Sequence, residues 1–208
     1  MVEDMRICFI GDSFVQGVGD PEYRGWVGRV LEASGGGITA FNLGVRRNTS
    51  EDVAERWRRE VLPRTAPGAD NRLVVSFGSN DAILENGAVR VGPERCLENL
   101  ASILDESLDE SLSRAVLPLV VGPPPVVVAG DGHLRRTAAL AEGMAALCAS
   151  RHVPFVDTTL RLADDPVWVR EATAGDGAHP GADGYRRLAD LVLAGQWRDW
   201  IANGRLTD

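Results

Sequence analysis

Short continuous apolar runs alternate with longer stretches of helical periodicity from one end of this chain to the other. The runs at 6–10, 38–43, 72–77, 115–121 and 153–156 predict five strands. Between them, helices are predicted over 23–33, 50–62, 93–112 and 134–151, with a last long helix from Pro180 through 194 or beyond. The punctuation agrees with the periodicity. Gly35-Gly36-Gly37 stops the first helix, Ser50 followed by Glu51-Asp52 reads as an N-cap with acids in the first turn, and Pro93 and Pro180 suit first-turn positions. Pro118 should lie near the start of its strand, and Gly122-Pro123-Pro124-Pro125 breaks the chain. Strand–helix alternation without linker or repeat predicts one domain over 1–208, an α/β fold with a parallel sheet covered by helices on both faces.

In such sheets ligands bind beyond the carboxyl ends of the strands. The chemically able residues fall there. Ser13 follows the first strand, Gly44 the second and Asn80 the third, while Asp176 and His179 precede the last helix. A serine hydroxyl needs a base to take its proton, and the base needs an acid to fix its tautomer. Ser13, His179 and Asp176 supply these three parts. The Ser13 N–H, the Gly44 N–H and the Asn80 amide are the candidate donors to an oxyanion. Asp12 is a candidate substrate contact, with its own loop as the alternative partner. Arg46 and Arg47 are candidates for a substrate anion, with a solvated surface pair as the alternative. Asp81 reads as structural, Trp26 as core, and Trp197 and Trp200 as one buried or subunit-contacting face.

Composition narrows the chemistry. The chain has 208 residues, 44% hydrophobic and 25% charged, as in ordinary soluble proteins. A net charge of −8 argues against nucleic acid or an anionic membrane as partner. All the basic residues are arginine, so a Schiff-base lysine and a phosphate-loop lysine are excluded. Cys8, Cys96 and Cys148 lack metal-ligand or disulfide spacing, and neither His133 nor His152 is spaced to join His179 as a ligand, so no metal and no cofactor is expected. The opening residues read as neither signal peptide nor membrane span, which predicts a cytoplasmic protein.

Four blocks in order, Gly11-Asp12-Ser13, Asn42-Leu43-Gly44, Gly78-Ser79-Asn80-Asp81 and Asp176-Gly177-Ala178-His179-Pro180, resemble the SGNH (GDSL-type) hydrolases. The likeness covers about residues 5–195. It implies a three-layer α/β/α fold with a mainly five-stranded, flavodoxin-like sheet and metal-free ester hydrolysis. Two departures stand out. Phe14 follows the serine where Leu is more usual, a change expected to matter little, and Arg46-Arg47 occupies a stretch where many members carry smaller residues.

The resulting expectation is a serine ester hydrolase with a small-molecule ester substrate, an acyl-enzyme intermediate and an open site suited to short acyl groups. Carbohydrate O-deacetylase, thioesterase and lysophospholipase are alternatives on the same site. A non-catalytic flavodoxin-like binding module is the alternative of another class.

Overall fold

The computed structural model describes residues 4–109 and 116–202. In chain order the elements are β1 (Met5–Gly11), α1 (Ser13–Gln16), α2 (Gly25–Ser34), β2 (Ile38–Gly44), α3 (Ser50–Val61), β3 (Asp70–Ser76), β4 (Leu84–Glu85), β5 (Ala88–Val89), α4 (Pro93–Ser107), β6 (Leu117–Val121), α5 (Gly130–Ser150), β7 (Phe155–Val156), α6 (Thr159–Ala163), α7 (Pro166–Ala174), α8 (Ala182–Ala194) and α9 (Trp197–Ala202). Five strands form one sheet in the order β2-β1-β3-β6-β7, every pair parallel, and β4 and β5 form a separate antiparallel hairpin. The first strand in sequence lies inside the sheet, so the chain winds outward from it both ways.

Alternate strand residues feed two cores. Cys8, Ile10, Leu73, Val75 and Val120 face one side, where Val53 and Trp57 of α3, Leu100 and Ile103 of α4 and Met144 of α5 pack on them. Ile7, Phe9, Val74, Leu119 and Val121 face the other, against Trp26 of α2, Trp168 of α7, Leu188 of α8 and Trp197 of α9. Strands buried on both faces read as continuous apolar runs, because every side chain leaves water. Trp197 and Trp200 are buried together with ring centroids 5.3 Å apart, and all three cysteines are free and buried.

Boundaries differ from expectation where capping is decided by side chains. Thr49 caps α3, because its side chain and that of Asp52 satisfy each other's backbone N–H groups in a capping box. Ser50 is displaced one place inward. Its N–H donates to Asp81, and its hydroxyl accepts from Asn99 at 2.9 Å. Helix α8 starts at Ala182 with Gly181 as N-cap, and Pro180 lies outside it. The Glu171 carboxylate of α7 accepts the Gly184 N–H at 2.7 Å, so the exposed end of α8 is closed from a neighbouring helix. Helix α4 ends at Ser107, and the expected extension to 112 and strand start at 115 lie outside the described residues or run into them. Pro118 is the second residue of β6, as its missing N–H requires near a strand end.

Helices α1, α6 and α7 and the β4–β5 hairpin have no counterpart in the sequence reading. All are short. Helix α7 carried a usable signal, since Asp165 caps it by accepting from Val167 and Trp168, and Pro166 follows.

Candidate active site

Ser13 is the first residue of α1, directly beyond β1, and Asp12 is its N-cap, accepting the Phe14 N–H at 2.9 Å. At the other end of the chain a tight loop between α7 and α8 carries Asp176 and His179. Gly177 makes that loop possible. Its backbone is left-handed at φ 83, and an added Cβ would lie 2.0 Å from Val128 Cγ1. Its N–H bonds to Ala172 O and its carbonyl accepts from Val128 N, which fixes the loop to α7 and to the segment before α5.

His179 Nε2 lies 2.7 Å from Ser13 Oγ, and Nδ1 lies 2.7 Å from Asp176 Oδ2. The other oxygen, Oδ1, accepts the Ala178 N–H at 3.0 Å and the His179 N–H at 2.9 Å. Partial burial opposes ionisation of Asp176, but these N–H donors and the His179 ring outweigh it and hold its carboxyl at about 2. With Asp176 ionised and acceptor-only, Nδ1 carries the proton, which leaves Nε2 as the acceptor toward the hydroxyl. Ser13 and His179 are largely buried, while Asp176 is 42% exposed.

The imidazole is also packed. Phe14 lies 5.0 Å from the His179 ring and stacks on Trp168 at 5.8 Å, with Trp168 meeting Tyr185 edge-on. The residue after the serine therefore packs against the histidine ring.

Asn80 Nδ2 donates to Asp12 Oδ2 at 3.2 Å and to the Asn48 carbonyl at 3.0 Å, so both amide hydrogens are engaged. Asp12 corrects the expectation of a substrate contact. It is 1% exposed, and its oxygens bond to Phe14 and Asn80 within the protein. Burial pushes its carboxyl up to about 7, against the Phe14 N–H and with repulsion from Asp81. Asp81 is itself buried, raised by that burial, and accepts the Ser50 N–H at the start of α3, the structural role expected of it.

Gly44 also departs from expectation. Its N–H donates to Asn42 Oδ1 at 3.0 Å, and an added Cβ would stand 2.1 Å from Gln16 N. The glycine lets β2 approach the backbone of α1, and its amide is taken. The turn after it closes through Asn48 N to Val45 O at 3.2 Å, with Arg47 left-handed at φ 69. Among the described residues the N–H groups of Ser13, Arg46 and Arg47 have no hydrogen-bond partner.

A buried cation braces this rim. Arg56 of α3 donates to Gly11 O at 2.8 Å, Leu43 O at 3.0 Å and Asn48 Oδ1 at 2.8 Å, tying the ends of β1 and β2 to the turn that meets Asn80. The sequence held a signal for it, since Arg56 lies between Val53 and Trp57 on the apolar stripe of α3. His133 Nε2–H donates to Ser79 O over 2.9 Å, and Ser79 Oγ donates to Pro124 O, fixing the loop before Asn80 from beneath.

Of the two arginines, Arg47 pairs with Glu85 at 3.2 Å on the surface, whereas Arg46 reaches across the site to Asp176 Oδ2 at 3.4 Å. A cavity of about 380 Å³ lined by Leu117, Val153 and Trp200 lies at the opposite, amino-terminal end of the strands and has no part in this constellation.

The chain is similar over 54% of its length to the uncharacterized lipoprotein YqeF of Bacillus subtilis, at 29% identity across 114 residues, and over 38% to the uncharacterized protein YpmR of the same organism, at 30% identity across 84 residues. The matches span only 44% and 32% of those relatives, less than half of either. Among solved structures, a lipase/acylhydrolase from Enterococcus faecalis aligns with a TM-score of 0.71 at 24% identity, covering 98% of this chain and 99% of that one. The acetylxylan esterase Axe2 from Geobacillus stearothermophilus aligns at 0.73 and 19% identity, covering 92% and 94%. These likenesses share the five-stranded parallel sheet with helices on both faces. The GDSL-like Lipase/Acylhydrolase family matches residues 9–187, nearly the whole span from β1 to α8. This chain belongs to that family.

Proposed function

We propose that the chain hydrolyses short-chain carboxylic esters through a covalent acyl-enzyme on Ser13. The observation that carries this reading is the continuous relay from Ser13 Oγ to His179 Nε2 and from His179 Nδ1 to Asp176 Oδ2, each step 2.7 Å. Ser13 Oγ attacks the ester carbonyl as its proton passes to Nε2, and Asp176 stabilises the imidazolium. Collapse of the tetrahedral intermediate expels the alkoxide, which takes the proton from His179. Water then gives a proton to the same nitrogen and attacks the acyl carbon; the second tetrahedral intermediate collapses with cleavage of the acyl–Oγ bond, Ser13 Oγ takes the proton back from His179, and the acid leaves.

The oxyanion is received by the Ser13 N–H, by Asn80 once one amide hydrogen turns from Asp12, and by an N–H of the segment 44–48. Gly44 serves there once its N–H turns from Asn42 Oδ1, and the unengaged N–H groups of Arg46 and Arg47 are the alternatives in the same segment. Val128, two-thirds exposed above Gly177, offers apolar surface for a small acyl group.

A carbohydrate O-acetylesterase is the second reading, favoured by the fold likeness to Axe2. Free buried cysteines fit a cytoplasmic setting, while the relative named a lipoprotein favours a membrane-tethered one; cell fractionation separates the two. No helix among the described residues is long and apolar enough to cross a membrane.

Labelling with a fluorophosphonate, followed by peptide mass analysis, tests the mechanism. A single adduct on Ser13, abolished in Ser13→Ala, is expected. Labelling elsewhere, or ester hydrolysis undiminished in Ser13→Ala, overturns it.

A further inference from the structure

Asp176 Oδ2 serves two cationic or potentially cationic donors at once, His179 Nδ1 at 2.7 Å and Arg46 Nη2 at 3.4 Å. Arg46 comes from the turn after β2 and Asp176 from the loop before α8, so their ion pair crosses the mouth of the site over 130 residues of chain. The neighbouring Arg47 is balanced differently. Its acid, Glu85, belongs to the β4–β5 hairpin and also faces Arg90 at 3.6 Å, away from the relay. Arg46 has the triad carboxylate as its ionic partner, through one long contact, and is 57% exposed.

That sharing has a consequence for catalysis. When His179 becomes imidazolium, two positive groups flank one carboxylate oxygen, and Arg46 opposes the charge that attack must create. Little desolvation holds Arg46 in place, so an anion entering the mouth competes readily for it. A guanidinium also suits carboxylate and phosphate oxygens by its planar fork of donors.

We propose that Arg46 is a specificity-determining residue that leaves Asp176 for a carboxylate or phosphate carried on the alcohol portion of the ester. Binding such a substrate places the anion on the arginine and frees Asp176 to answer the imidazolium alone. The inference rests on the reading of Ser13, His179 and Asp176 as the relay.

The test compares kcat/KM for 4-acetoxybenzoate with its neutral methyl ester, and for 4-acetoxyphenyl phosphate with phenyl acetate, in the wild type, Arg46→Gln and Arg46→Lys. The wild type is expected to favour each anionic ester over its neutral partner by a ratio about fivefold larger than that of Arg46→Gln. Lysine is expected to restore part of the ratio, and 0.5 M salt to erase most of it, as roughly a 4–5 Å Debye length requires. The larger of the two anionic preferences tells carboxylate from phosphate. Ratios equal in wild type and Arg46→Gln overturn the assignment while leaving the serine mechanism standing. Failure of the folded wild type to hydrolyse any of the four esters overturns the mechanism and the assignment together.

Discussion

Oδ2 of Asp12 lies 3.2 Å from Nδ2 of Asn80, so the residue preceding the proposed nucleophile holds the amide proposed for the oxyanion. Asp12 carries no exposed surface of consequence and sits between two hydrogen-bonded partners and the repelling Asp81. Its raised carboxyl makes stability depend on pH in a definite direction. A carboxyl near 3.8 when unfolded and about 7 when folded binds more protons in the native state between those values, so its contribution is fully present below about pH 4 and is lost as pH rises through 7. Asp12→Asn is expected to remove that slope, on the order of a few kcal/mol between pH 5 and 8. Urea unfolding at both pH values measures it, and a slope unchanged in Asp12→Asn refutes the account.

Asp176 has the opposite sign. Its carboxyl is held at about 2 in the folded protein, so its stabilising contacts are present above about pH 4 and fail as pH falls through 2. Asp176 therefore stays ionised from pH 5 upward, and its own titration alters no contact in that range. Asp176→Asn is expected to lower kcat by about 10³–10⁴. A kcat within tenfold of wild type, at any pH from 5 to 9, removes Asp176 from the relay.

Asn80→Ala deletes one proposed oxyanion donor and leaves Asp12 Oδ2 and the Asn48 carbonyl without their amide. Turnover is expected to fall about 10²–10³-fold, with KM little changed, because the interaction forms in the transition state. Steady-state kinetics on a chromogenic acetate ester read both constants. A rise confined to KM assigns Asn80 to ground-state binding instead.

Phe14 touches both His179, the proposed base, and the aromatic stack of Trp168 and Tyr185. Phe14→Ala is expected to cost about 3–5 kcal/mol of stability through the cavity left behind, and to lower kcat as the imidazole loses its seat. Phe14→Leu is expected to recover most of both. Thermal unfolding together with kcat checks the pair, and a kcat equal to wild type in a folded Phe14→Ala protein dissociates the stack from catalysis.

Arg47 holds a left-handed backbone that a side chain disfavours. Arg47→Gly is expected to stabilise the protein by about 1 kcal/mol, since the exposed pair with Glu85 contributes less than the strain removed. A lower melting temperature for the glycine variant refutes this.

Much of the fold was legible because long elements bury whole faces. Strands β1 and β3 declare themselves by apolar runs, and α3 and α4 by helical stripes, α3 ending just before Pro63 and α4 opening at Pro93. Helices α1 and α6 hold too few residues to show a period, and only α7 offered a cap that could be read. The misassigned cap at Ser50 has a plain cause: two adjacent residues, Thr49 and Ser50, have equal capping chemistry, and the reciprocal partner Asp52 chose between them.

The chain alone determined which groups could act as nucleophile, base and acid, since those are properties of side-chain type and of strand ends brought to one rim by parallel topology. It could not determine which N–H groups remain free, because Gly44 lost its amide to Asn42 and Asn80 gave both hydrogens to Asp12 and Asn48 through contacts made only on folding. Nor could it show that Arg46 meets Asp176 while Arg47 turns to Glu85, for adjacent residues in a turn point apart and only the packed loops decide what each one finds.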